Sequence, residues 1–156
     1  MPVPRSSSCG GCYGPPMPRR ALPASLAWLA ALTLFAFGVA MVAGGILYWQ
    51  ARQTARIRAE TIAGGDWKRG RAAIGRYGCG GCHVIPGAAG ANGKVGPDLT
   101  HVGMRAVLAG RVANTPDAMV GWLMHPQAHQ PGGGMPEQGV TARDAHDMAA
   151  YLYAQD

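Results

Sequence analysis

A chain of 156 residues has room for one compact domain and an appendage, which excludes two full catalytic domains. Its hydrophobic fraction is 48% while only 14% of its residues are charged, and that balance excludes wholesale disorder. Four cysteines are too few for a disulfide-dense scaffold, and a formal charge of +6 makes nucleic acid a partner to be weighed against where the charge lies.

Residues 1–20 are rich in Pro, Ser and Gly, carry Arg5, Arg19 and Arg20, and have no apolar period, so they read as a disordered tail. Residues 21–51 contain no charged side chain and are dominated by Leu, Ala, Val, Phe, Ile and Met. That exceeds the ~20 residues a helix needs to cross the hydrocarbon of a bilayer. Tyr48 and Trp49 stand at its end, where interfacial aromatics are favoured. A cleaved signal peptide is the competing reading, but its apolar region runs only about 7–15 residues and ends in a small-residue cleavage site, and no such site follows here. The segment is therefore read as an uncleaved transmembrane helix. Residues 52–65 form a stalk and linker: Arg52 to Ala63 can continue the helix until Gly64-Gly65 breaks it.

Residues 66–156 form the remaining domain. Asp66 is placed to cap a helix through Arg76, with Gly70 and Ile74 on one face. Residues 84–103 are Gly- and Pro-rich loop without period-2 alternation. Thr115 can cap a helix from Pro116 to about Met124. Residues 125–140 read as loop. Thr141-x-x-Asp144 resembles a capping box with Asp in place of Glu or Gln, and Ala145, Met148, Ala149 and Leu152 then recur at helical spacing. This last helix is expected to pack on the first, which makes the domain all-α with long loops. His146, beside Asp144 and Asp147, is expected at the surface.

Cys79-Gly80-Gly81-Cys82-His83 is a C-x-x-C-H motif, the attachment signal of c-type haem. Positions three apart on a helical turn share a face, so both sulfurs can reach the vinyl groups of one porphyrin while the adjacent imidazole lies under the iron. Two other readings carry less. A structural zinc site needs four ligands, usually from two such pairs, and the only other pair is Cys9 and Cys12 in the tail. A redox pair wants a βαβ context, and none is visible. Cys9-Gly-Gly-Cys12 ends in Tyr13, lacks the histidine, and reads as incidental.

With these residues in hand, residues 66–156 resemble a class I cytochrome c domain, most of all the domains found with or fused to subunit II of haem-copper oxidases. The matching pieces are Tyr77 to His83, Gly96 to Gly103 with Arg105, Trp122 with His125-Pro126-Gln127, Pro131 to Pro136, and Ala149 to Leu152. The resemblance implies a class I cytochrome c fold of three or four short helices around one covalent haem c. It implies His83 and Met135 as the iron ligands and Cys79 and Cys82 as the attachment points. It further implies that the Pro97 carbonyl orients His83 and that Arg105 and Trp122 meet the haem propionates. Gly70 and Tyr151 would lie where the terminal helices cross. His101, His125 and His129 are rival distal ligands, and Met104, Met119, Met124 and Met148 are expected in the core.

A six-coordinate His/Met iron suits electron transfer rather than substrate chemistry. The expectation is thus a membrane-anchored carrier in a bacterial respiratory chain, not an enzyme by itself, passing electrons to or within a terminal oxidase. Its donor would be a quinol-oxidising complex or a soluble cytochrome, and its anchor would contact membrane lipid. The alternatives are a permanent subunit of another membrane complex, or a five-coordinate haem enzyme or gas sensor. The resemblance places the domain on the periplasmic side of the inner membrane, with the tail in the cytoplasm. Charge then loses its opening meaning. Residues 1–65 hold six arginines against Glu60, whereas residues 66–156 hold eight basic and seven acidic side chains. The +6 flanks the span, and no nucleic acid is expected as a partner.

Overall fold

The computed structural model describes residues 23–155. The expected tail and the Cys9/Cys12 pair lie outside the described residues. The chain divides into two units at Val42/Ala43.

Helix α1 spans Ala24–Ala63, so the apolar segment and the stalk form one helix. It is long and apolar enough to cross a membrane. Large side chains along it, such as Leu34 (72%) and Phe35 (71%), are exposed, an arrangement that water does not favour over so long a run.

In the second unit each long helix begins at its sequence-predicted cap. Helix α2 covers Trp67–Arg76, and the Asp66 carboxylate accepts from the Lys68 and Arg69 N–H groups at 2.9 and 2.8 Å. Helix α3 covers Pro116–Met124, with the Thr115 hydroxyl accepting from the Ala118 N–H. A four-residue helix, α4 (Pro126–His129), lies inside the stretch expected to be loop; Pro126 in its first turn lacks the N–H that a helix start leaves unbonded anyway. Helix α5 covers Ala142–Tyr153 and is capped by the Thr141 hydroxyl. The reciprocal half of the expected capping box is not made. The Asp144 carboxylate instead accepts from Tyr77 Oη and Arg76 Nη2, both at 2.8 Å, and from the Thr141 hydroxyl at 3.1 Å. Two two-residue strands, β1 (Val107–Leu108) and β2 (Val112–Ala113), pair antiparallel, with Ala109 and Gly110 at positive φ between them. They are too short to leave an alternating signal in sequence.

Helix α2 packs on α5, and α3 packs on α5 from another side. Gly70 makes the first contact possible: a Cβ there would stand 2.5 Å from the Asp147 carbonyl carbon and 3.0 Å from the Met148 nitrogen. The crossing thus lies at Gly70 and Asp147. Tyr151, one turn on, is buried and donates its hydroxyl to the Pro86 carbonyl, tying down the loop after Cys82-His83. Ile74, Ile85, Val102, Met119, Leu123 and Met148 fill the core, each contributing about 1.5–3 kcal/mol by leaving water. Met104 departs from expectation: it is 73% exposed, on a 3-10 turn (Val102–Met104) whose inward residue is Val102.

The end of α1 joins the domain through polar contacts that the sequence does not announce. Ala59 and Ala63 are buried. The Trp67 N–H donates to Glu60 at 3.2 Å, and Arg56 lies 4.1 Å over the Trp67 ring. His146, expected at the surface, is half-buried with Nδ1 against the Ala63 carbonyl. Asp147 is the buried charge of this joint at 2% exposure. It accepts from the Asp66 N–H at 2.6 Å and from Arg69 Nε and Nη2 at 2.8 and 2.9 Å. Burial pushes its carboxyl up, but the Arg69 hydrogen bonds, the Asp66 amide and the Arg69 and Arg143 charges outweigh that, so its pKa lies below the ordinary Asp value.

Candidate haem site

Cys79 to Gly81 form a single 3-10 turn that follows Gly78 at φ +67°. The His83 N–H closes back on the Cys79 carbonyl at 3.0 Å, so Cys79, Cys82 and His83 are presented together. Gly80 is confined by the next loop, since a Cβ on it would stand 2.7 Å from Ala91 Cα. Gly81 has nothing within 4 Å of its missing Cβ. Burial pushes the Cys79 thiol up toward its neutral form, the reverse of the activation that a thiolate redox pair requires.

Gly96 and Pro97 lie against the imidazole. Pro97 O accepts from His83 Nδ1 at 2.7 Å. A carbonyl can only accept, so Nδ1 carries the proton and Nε2 keeps its lone pair. Gly96 lies flat against the ring, where a Cβ would come within 2.7 Å of Nδ1 and 2.9 Å of Nε2. The Gly96 N–H is held by the Cys82 carbonyl at 2.8 Å. These contacts fix both the tautomer and the plane of the ring.

Cys79, Cys82, His83, Pro97, Arg105, Trp122 and Met135 all line one cavity of about 370 Å³. Its remaining wall is largely apolar, with Ile74, Leu99, Met119, Leu123 and Leu152 among its residues. His101, His125 and His129, the rival distal ligands, do not line it. His125 lies 3.6 Å from Glu137, and His129 stacks on Trp122 with centroids 5.7 Å apart. Trp122 Nε1 donates to Met135 Sδ at 3.3 Å. Arg105 Nη2 donates to the carbonyls of Asp98 and, at 3.3 Å, Thr100.

Sequence reasoning missed Asn114. Its Nδ2 donates to the Val102 and Arg105 carbonyls, both at 2.8 Å, and its Oδ1 accepts from Tyr153 Oη at 2.7 Å. One side chain thereby ties the turn carrying Arg105 to α5. No local pattern reveals this, because Tyr153 is 39 residues away.

The donor set fits a haem. Two thiols three residues apart adjoin an imidazole with a free lone pair, and a thioether sulfur lines the same apolar cavity. Zinc fits less well: among the described residues no three His, Cys, Asp or Glu side chains cluster to hold a metal ion. Comparison with known proteins agrees. The cytochrome c family matches over residues 67–155, and the chain belongs to that family. Haem c and haem-based electron transfer follow from that membership. A cytochrome c oxidase subunit 2 from Alkalihalophilus pseudofirmus is 32% identical over 94 residues, which cover 60% of this chain and 25% of that protein. The chain thus spans about a quarter of the length of this curated relative. No solved structure matches the chain.

Proposed function

We propose that the chain is a membrane-anchored monohaem cytochrome that carries single electrons in a bacterial respiratory chain, to or within a terminal haem-copper oxidase. The observation that carries this reading is the meeting of Cys79, Cys82, His83 and Met135 at one apolar cavity. When bound, the haem iron supplies a one-electron couple. Cys79 and Cys82 hold the group covalently. His83 offers Nε2 as proximal ligand, oriented through Nδ1 by Pro97. Met135 offers its sulfur as distal ligand, with the Trp122 N–H beside it. Arg105 supplies positive charge for the propionates. Ile74, Leu99 and Leu123 exclude water, which favours a site that changes charge without changing ligands.

In this reading residues 21–51 are the transmembrane helix, 52–65 the stalk and 66–156 the haem domain, on the periplasmic face of the inner membrane. The oxidase context is supported by the name of the curated relative. A quinol-oxidising complex or a soluble cytochrome would supply the electron. The chain is then a carrier rather than an enzyme by itself. A redox-titrated spectrum of membranes bearing the wild type and Met135→Ala tests the reading. We expect haem that survives acidic acetone extraction, and a methionine–iron(III) charge-transfer band that Met135→Ala abolishes. Unchanged ligation in the variant overturns the distal assignment. Co-purification of a stoichiometric partner from detergent overturns the mobile carrier in favour of a fixed subunit.

A further inference from the structure

We infer that Gln127 is a positioning residue that latches the Met135 loop onto α4 and thereby sets how readily Met135 leaves its place in the site. The inference rests on the reading of Met135 as distal ligand.

The loop Pro131 to Pro136 is poor in restraints of its own. It contains three consecutive glycines, the residues that lose most freedom on folding, and Gly132 sits at φ +72°. Its main chain makes one backbone bond, from the Gly133 N–H back to the Gln130 carbonyl just before the loop, at 2.9 Å. The Gln127 side chain makes up the difference. Its Nε2 donates to the Met135 carbonyl at 2.6 Å and to the Gly133 carbonyl at 2.9 Å, and its Oε1 accepts from the Gly132 N–H at 2.9 Å. Both N–H bonds and the oxygen are therefore used on a single loop. The amide can point only one way, because a flip would set its NH₂ against an N–H and its oxygen against two carbonyls.

The latch is itself anchored. Pro126 beside it is fully buried, and the Gln127 N–H donates to Glu137 at 3.1 Å, two residues beyond Met135. Trp122 holds the Met135 sulfur from α3 while Gln127 holds the Met135 carbonyl from α4. The ligand is thus gripped at both ends by two adjoining helices. Without Gln127 the sulfur keeps its indole partner, but the backbone that delivers it is tied by a single bond.

The test uses the full-length haem-bearing protein in detergent. Imidazole is titrated into the oxidised form, and loss of the methionine–iron(III) band is followed in wild type, Gln127→Glu and Gln127→Leu. Both variants delete the two donors; Gln127→Glu keeps shape and an acceptor for Gly132. We expect imidazole affinity to rise on the order of tenfold or more, the net worth of two or three hydrogen bonds. Amide exchange at Gly132 should quicken in Gln127→Leu and less in Gln127→Glu. Asp147→Leu, which weakens the fold from the far contact of α2 with α5, should leave imidazole affinity unchanged; an equal rise there would reduce Gln127 to general stability and overturn the inference. If the wild type shows the band and Met135→Ala abolishes it, yet both Gln127 variants bind imidazole as the wild type does, the latch fails and the Met135 reading stands. If the wild type has no such band, the Met135 reading fails first.

Discussion

Gly70→Ala separates helix propensity from tertiary packing, because the two predict opposite signs. By propensity, Ala inside α2 is better than Gly by about 1 kcal/mol. The structure predicts a loss. The new Cβ would stand 2.5 Å from the Asp147 carbonyl carbon and closer still to its oxygen, where carbon atoms at contact need about 3.5 Å. Helices α2 and α5 must therefore part by roughly 1 Å, and backbone cannot rotate aside as a flexible side chain would. That opens gaps around Ile74 and Met148, both buried in the same contact, and strains the bonds from Asp147 to Asp66 and Arg69. Overpacking of about 1–3 kcal/mol plus weakened contacts, less the propensity gain of about 1 kcal/mol, gives an expected net loss of about 1–2 kcal/mol. Gly75 supplies the control from the same helix: nothing lies within 4 Å of its missing Cβ, so Gly75→Ala should gain about 0.5–1 kcal/mol. Guanidinium unfolding of the full-length protein in detergent, followed by tryptophan fluorescence, measures both. A Gly70→Ala variant as stable as the wild type, or a Gly75→Ala variant that loses as much, would refute the crossing at Gly70.

Three further predictions use the same assay. Asp147→Leu strands the partly buried Asp66 N–H and frees the half-exposed Arg69 to water, so it should cost about 1–3 kcal/mol, and Asp147→Asn less because an oxygen remains for Asp66. The folded-state pKa of Asp147 is depressed, so its contribution is fully present above the ordinary Asp value and is lost as pH falls below that value through its lower folded-state pKa. Asp144, lowered chiefly by the Tyr77 hydroxyl, adds to the same acid limb, which should be shallower in Asp147→Leu than in wild type; parallel limbs would contradict the assignment. Tyr151→Phe removes the buried hydroxyl from the Pro86 carbonyl and should cost about 1 kcal/mol; no measurable loss would show that water replaces it.

What the sequence revealed, and what it hid, follows the range of the interactions. The caps at Asp66, Thr115 and Thr141 act on N–H groups two or three residues away, so local pattern found all three. Gly70 was expected at the crossing only through the family resemblance, and its missing Cβ is what lets the two backbones meet there. Asp147 was not, since its partners Asp66 and Arg69 lie 81 and 78 residues away and nothing beside it marks the charge as buried. The capping box failed at Asp144 for the same reason: Tyr77, 67 residues off, outcompetes the local N–H. Helix α4 has four residues, one turn, too few for a 3.6-residue period to register. Trp122 lines the cavity, but its contact with Met135 was not legible, because which group an indole N–H meets depends on where the Met135 loop returns.

The two parts of the domain are held by different physics. The α2–α5 scaffold rests on close backbone approach at Gly70 and on apolar burial, and these leave periodic traces in sequence. The walls of the cavity are loops, which supply few backbone bonds of their own. Two primary amides close them: Asn114 ties the Val102–Arg105 turn to Tyr153, and Gln127 ties the Gly132–Met135 segment to α4. An amide suits this work because one side chain both donates and accepts, so it can bind carbonyls and an N–H or hydroxyl at once. It also adds no charge beside a low-dielectric site, where an extra carboxylate or ammonium would be costly to desolvate and would bias the charge state of anything bound there. Positioning without charge explains why Asn114 does not stand out by composition or motif, and why the role of Gln127, though it lies in a matching piece of sequence, becomes visible only when the loop it holds is seen in place.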